Sequence, residues 1–364
     1  MKNLFLLPCF IILTFFGCSR LQNRTPDFVY NDSAFIKLTV KNCSDTTEFF
    51  FKTSPMFPRG CVIKKIYPTH DTICYFSHKT TKPDFIELGF RIKFQTYVIP
   101  GDTLKIIANL DPNVDDTDAI HIDGELGEIM DFFSIRHERF ENWHIIYALA
   151  NLYDTKYPIE KAFLLCDSIC STELEFLNSY NLKNRLPHWF YETFKADIEY
   201  NRALVRPQLF MVRDYFFKEK TDNPETYYIF NQIKLYNPKA KFSDYYYQCI
   251  DTYLWVNHQQ DLVGKHGIDR VLPLFERSIP EAKQILKGEI LEYYLAWKTS
   301  ELFAVCRNIN DYTRIDSLYS DLKNQIENDE LIKILDCRRN YVADYFKEVS
   351  KSPFIYTKII PDDK

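Results

Sequence analysis

The apolar pattern of this chain changes period once, and that change fixes the fold class. From Ala34 to about Gly124 apolar residues fall at alternate positions; beyond it they recur every three or four. The seam is Tyr97-Val-Ile-Pro-Gly-Asp-Thr-Leu-Lys-Ile-Ile-Ala-Asn-Leu110, followed by Ile120-His-Ile-Asp-Gly124. Pro100 presets the first central position of a tight turn and Gly101 supplies the positive φ of the second. Asp102 is placed to cap freed amides. Past the turn, Leu104 and Ile106 point one way and Thr103 and Lys105 the other, as in a strand with one buried face. The reading is α+β: an N-terminal antiparallel β-sandwich or partial barrel over residues 31–124, then a larger irregular α-helical bundle over 125–351.

The same alternation starts at Ala34, with Ile36, Leu38 and Val40 on one face. Further strands are expected at Glu48–Lys52, Cys61–Tyr67, Thr72–Ser77, Phe85–Gly89, Arg91–Val98, Thr103–Asn109 and Ile120–Asp123. Pro, Gly and Asp clusters separate them. Short strands at this spacing favour antiparallel pairing. Helices are expected from Leu126 to Leu152, from Pro158, and from Pro187 to Lys218, with Pro207 kinking or splitting the last. Later ones fall at Pro224–Tyr236, Phe242–Val263, Ile268–Arg277, Glu281–Arg307, Tyr312–Asn328 and Glu330–Val349, joined by short connections. No repeat signature recurs, so a bundle is expected rather than a solenoid. Residues 352–364 form a tail without helical period.

Composition excludes several functions. The net charge of −5 offers no basic footprint for nucleic acid. With 30 Phe and 25 Tyr the chain has ample apolar surface for a core. It has only 9 Gly, where average usage would give roughly 25. Phosphate cradles depend on Gly for backbone angles and close approach, and no G-x-G-x-x-G, Walker-type or G-x-S-x-G motif occurs. No cofactor is expected.

Residues 1–17 read as a signal peptide: Lys2 precedes an apolar run from Leu4 to Phe16, too short to span a bilayer as a helix. The run ends Thr14-Phe-Phe-Gly-Cys18-Ser, which resembles the lipobox of bacterial lipoproteins. Phe15 and Phe16 depart from its usual first two residues. The resemblance implies cleavage before Cys18 and acylation of its thiol. With Ser19 rather than Asp next, it implies an outer-membrane anchor facing the periplasm. Residues 18–30 then form a flexible tether.

The run Tyr97-x-x-Pro-Gly-Asp-x-Leu-x-Ile, then Ile120-x-Ile-x-Gly124 and a helix, resembles the N-terminal region of bacterial thioredoxin-like thiol-disulfide oxidoreductase lipoproteins. Asn324-Gln-Ile-Glu-Asn328 before a helix resembles the end of that family's helical segment. The resemblance implies a β domain, a helical segment and then a thioredoxin domain bearing Trp-Cys-x-x-Cys. No C-x-x-C occurs in these 364 residues, so the family's activity has no residues here to be carried onto.

The remaining residue clusters are structural in pattern. Cys61 and Cys74, on nearby expected strands, are the best candidate for a disulfide in an oxidising compartment. Cys166 and Cys170 are four apart on a helix, a spacing poor for direct bridging. His137 and His144 could share a helical stripe but lack ligand-spaced partners, so no metal site is expected. Tyr245-Tyr-Tyr247, Tyr253 and Trp255, with Tyr293, Tyr294 and Trp297, read first as core stripes and second as a ligand groove. No local motif assembles a catalytic triad. The expected function is a non-catalytic, lipid-anchored interaction or scaffold module with an envelope protein partner, tied by family analogy to thiol-redox or stress functions. The alternatives are a truncated or split oxidoreductase served by a separate thioredoxin domain, and a small-ligand-binding lipoprotein.

Overall fold

A computed structural model describes residues 33–52, 62–80, 83–89, 93–114, 119–123, 126–140, 158–217, 229–258 and 267–351. Its architecture is α+β, with strands in the N-terminal part and helices after them. The chain divides into two compact units. One takes its described residues from Met1–Thr47, Tyr67–Asp84 and Thr96–Gly127, the other from Glu48–Ile66, Phe85–Gln95 and Glu128–Lys364.

The first unit is built on a sheet of β1 (Ser33–Lys41), β4 (Thr72–Lys79), β7 (Thr103–Asn109) and β8 (Ile120–Asp123), in the order β4-β1-β7-β8. Ile36, Leu38 and Val40 of β1 are buried with Leu104, Ile106 and Ala108 of β7, as the alternation requires. The sheet is mixed rather than antiparallel throughout, because β1 runs parallel to β7 while pairing antiparallel with β4. Parallel neighbours need a long crossover, and residues 42–102 supply it. The seam turn forms as its residues dictate. Gly101 has φ 82°, the Asp102 amide donates to the Ile99 carbonyl at 3.0 Å, and Asp102 Oδ1 accepts from the Thr103 amide at 2.6 Å.

A second sheet has β2 (Phe49–Lys52), β3 (Val62–Ile66), β5 (Asp84–Gly89) and β6 (Lys93–Val98), in the order β3-β2-β5-β6. Phe49, Phe51, Ile86 and Leu88 are buried in it. Gly89 lies opposite Phe50, whose ring would stand 1.9 Å from any Cβ added there. The ring takes the space a side chain would fill.

The helices are α1 (Gly127–Phe140), α2 (Ile159–Asn184), α3 (His188–Phe217), α4 (Asp244–His258), α5 (Ile268–Ile285), α6 (Glu289–Ala304), α7 (Ile309–Lys323) and α8 (Asp329–Lys351). From α2 onward successive helices pack on one another, and α8 also packs on α6. Phe132 of α1 meets Phe176 of α2 and Phe190 and Phe194 of α3 at ring separations of 4.9–5.6 Å. Edge-on and offset rings of this kind add to what burial alone provides. In α6 every residue from Tyr294 to Ser300 is buried, which marks it as the central helix of the bundle.

Pro207 does not split the helix and lies inside a single α3, which continues to Phe217. Two helical expectations are corrected. Pro280 likewise lies inside α5, so the break falls not before Glu281 but at Leu286–Gly288, where Gly288 has φ 55°. The described part of Pro224–Tyr236 holds a 3-10 turn, Ile229–Asn231, rather than an α-helix. Among the described residues no helix is long and apolar enough to cross a membrane.

Candidate functional site

Helices α4, α5 and α6 enclose a cavity of about 520 Å³, a size typical of small-ligand sites. Asp251, Leu254 and Trp255 reach it from one face of α4, at the i, i+3, i+4 spacing of neighbours on a helix. Arg270, Val271, Leu274, Phe275 and Ser278 line it from α5, and Lys298, Glu301 and Ala304 from α6, with Val305 just beyond. The walls are mostly apolar and the polar groups are few, which is the usual make-up of a recognition site.

Three charges meet on one wall. Lys298 Nζ donates to Asp251 Oδ2 at 3.0 Å and to Glu301 Oε2, and lies 4.8 Å from the centre of the Trp297 ring. The Tyr294 hydroxyl donates to Asp251 Oδ1 at 3.1 Å. The Lys298 side chain is 10% exposed, against 30% for Asp251 and 32% for Glu301, so the carboxylates and not the amine face solvent. Burial opposes the charge on Lys298, but the Asp251 and Glu301 carboxylates outweigh it and hold its pKa above the ordinary value. Burial also raises the Glu301 pKa, against the opposing pull of Lys298. The amine therefore stays protonated and is not a nucleophile at neutral pH.

Arg270 sits differently. Its Cζ lies 5.1 Å from the centre of the Trp255 ring, and among the described residues no carboxylate pairs with it. The neighbouring Asp269 is taken by Arg314 at 3.0 Å. The ring contact holds the guanidinium beside Trp255, and among the described residues no acceptor takes its N–H donors.

A second cleft, also about 520 Å³, is lined by α2, α3 and the segment 232–239. Its rim charges are largely paired: Glu192 with Lys239 at 3.1 Å, Lys195 with Glu199 at 3.9 Å, and Arg202 with Asp167 at 2.7 Å. It offers a ligand fewer uncommitted groups than the α4–α6 cavity does.

The residues singled out from sequence fall mostly elsewhere. Cys18, Cys61 and His144 lie outside the described residues, as does the side chain of His137; Cys74 is half-buried on β4. Burial pushes the thiols of Cys166 up to about 11 and of Cys170 and Cys306 up to about 12, and raises that of Cys249 further. Thiol exchange needs the thiolate, so these four are inert at neutral pH. Tyr246, Tyr247 and Tyr294 are core residues, and of the aromatic stripes Trp255 alone lines the cavity. Among the described residues no cluster of His, Cys, Asp and Glu has metal-binding geometry. The residues that sequence reading missed are Asp251, Arg270, Lys298 and Glu301. A signal existed for one of them: Lys298 directly follows the apolar Leu295-Ala-Trp297 at the centre of a helix, and a lysine beside a core stripe needs a partner.

No protein-family model matches the chain, and no curated protein matches it significantly.

Proposed function

We propose that this is a lipid-anchored protein of the bacterial cell envelope that acts by binding, with the α4–α6 cavity as its recognition site. The anchor is the acylated Cys18 at the end of a signal-like segment. One observation supports the binding role above the others: an apolar cavity whose polar groups are fixed before any ligand arrives. Arg270 is stacked on Trp255, and Asp251 and Glu301 are fixed by Lys298. Preorganisation of this kind lowers the cost of association. The groups that would serve nucleophilic chemistry, the Lys298 amine and the buried thiols, are held in protonated, unreactive forms.

The test is extraction of the full chain from envelopes in mild detergent, followed by native mass spectrometry. A bound small molecule should accompany the protein and be absent from a folded Leu274→Trp variant, in which indole fills the cavity. A wild-type protein that carries no adduct, and gains none on incubation with an envelope metabolite extract, would refute the reading. Labelling with a fatty-acid analogue tests the anchor: label should disappear in Cys18→Ala.

A further inference from the structure

We propose that the α4–α6 cavity takes a small zwitterion with an apolar body, of the kind presented by a free apolar α-amino acid or a short peptide. This rests on the reading of the cavity as a recognition site and assigns its ligand class.

Charge bookkeeping within the cavity carries the inference. Two carboxylates, Asp251 and Glu301, share one ammonium, Lys298, leaving an excess negative charge. Both carboxylates are about one-third exposed while the amine behind them is nearly sealed. An incoming ammonium meets them first. Arg270, on the same lining, is a positive charge with no carboxylate partner among the described residues. A guanidinium binds a carboxylate through paired N–H donors, the geometry for which Arg is best suited.

Arg270 and the two carboxylates line the same cavity without pairing with one another, so a ligand with a single charge leaves one pole unanswered. A zwitterion answers both. Trp255, over which Arg270 lies, follows Asp251 by one turn of α4, a rise of about 6 Å. An α-amino acid hydrogen-bonded at both ends spans about 8 Å between the groups it engages, a comparable distance. Leu254, Val271, Leu274 and Phe275 line the same cavity and would cover an apolar side chain. A polar or strongly charged side chain would have to be desolvated against them.

The experiment is titration calorimetry on the full chain in mild detergent, with phenylalanine as the probe. Two analogues each lack one charge: 3-phenylpropionate has no ammonium and phenethylamine no carboxylate. Phenylalanine should bind at least about tenfold more tightly than either. Arg270→Gln should bring phenylalanine down to the level of phenethylamine and leave phenethylamine unchanged. Glu301→Gln should do the mirror image, weakening phenylalanine and sparing 3-phenylpropionate. The dipeptides Gly-Phe and Phe-Gly separate the two sources, since tighter binding of either assigns a short peptide and weaker binding a free amino acid. Equal binding of the uncharged 3-phenylpropionamide would overturn the zwitterion while leaving the cavity a binding site. Silence from every probe, with an adduct still present in the native mass spectrum, would also overturn the zwitterion alone. Silence with no adduct overturns both readings.

Discussion

Asp251 on α4 and Asp197 on α3 both place a carboxyl group in the helical bundle, and the two meet opposite fates. Asp251 has Lys298 at 3.0 Å and a tyrosine hydroxyl on its other oxygen. Asp197 has an Oδ1 sealed from solvent without a hydrogen-bond partner, although the residue as a whole is half-buried. Burial pushes the Asp197 carboxyl up to about 8, against the hydrogen bond from Ser243, and pushes nearby Asp244 up to about 7. Asp251 has a cation within hydrogen-bond reach, whereas Asp197 feels Arg136 without pairing with it among the described residues, too weakly to offset its burial. Beside the cavity, and again where Arg136 meets the buried Glu173, an acid is answered by a cation, whereas burial leaves Asp197 and Asp244 holding their protons to higher pH.

The largest effect should come from breaking the fixed group. Lys298→Met leaves Asp251 and Glu301 facing each other without a cation, which should cost about 2–4 kcal/mol by urea unfolding. The estimate is lowered from that for a sealed pair because both carboxylates reach solvent. Adding Asp251→Asn and Glu301→Gln to the same chain should recover at least about half of the loss. A triple variant as unstable as Lys298→Met would mean that Lys298 acts through packing and not through charge.

Asp197 supplies the next effect. Its native pKa of about 8 stands above the ordinary 3.8, so the folded state holds a proton that the unfolded chain gives up. Stability from this source is full below 3.8, falls as pH climbs, and is lost above about 8; Asp244, raised to about 7, adds in the same direction. Because both side chains are only half-buried the full shifts overstate the effect, and unfolding midpoints measured from about pH 5 to about pH 9 should fall by the equivalent of about 1–2 kcal/mol. Asp197→Asn should flatten that slope. A midpoint that rises with pH would mean that Asp197 is ionised in the folded protein.

The contrast also explains what could be read from the sequence. Alternation located every described strand, because a one-residue error would turn Ile36, Leu38 and Val40 out of the core. Helical period located α2, α3 and α8 within a few residues. Pairing was less legible: nothing local makes β7 the parallel neighbour of β1, since the choice is made by residues far apart in the chain. Pro280 misled because a helix held by packing tolerates a missing amide that an isolated one would not. The cavity was least legible. Asp251 and Lys298 belong to different helices, and their pairing exists only once α4, α5 and α6 have assembled.

The smallest effect should fall on Arg270, and it sharpens the comparison from the other side. Lys298 has its charge answered within the bundle; among the described residues the Arg270 charge is answered by the Trp255 ring alone. A half-exposed stacking contact of this kind is worth about 0.5–1 kcal/mol, so Arg270→Gln should shift the urea midpoint by no more than that. Its effect on binding should far exceed its effect on folding. Lys298→Met should show the reverse proportion, since its amine lies behind the carboxylates that a ligand would meet. If Arg270→Gln proved as costly to stability as Lys298→Met, the guanidinium would be a structural charge with a partner of its own. The cavity would then lack the free positive pole that distinguishes it from the paired charges around the α2–α3 cleft.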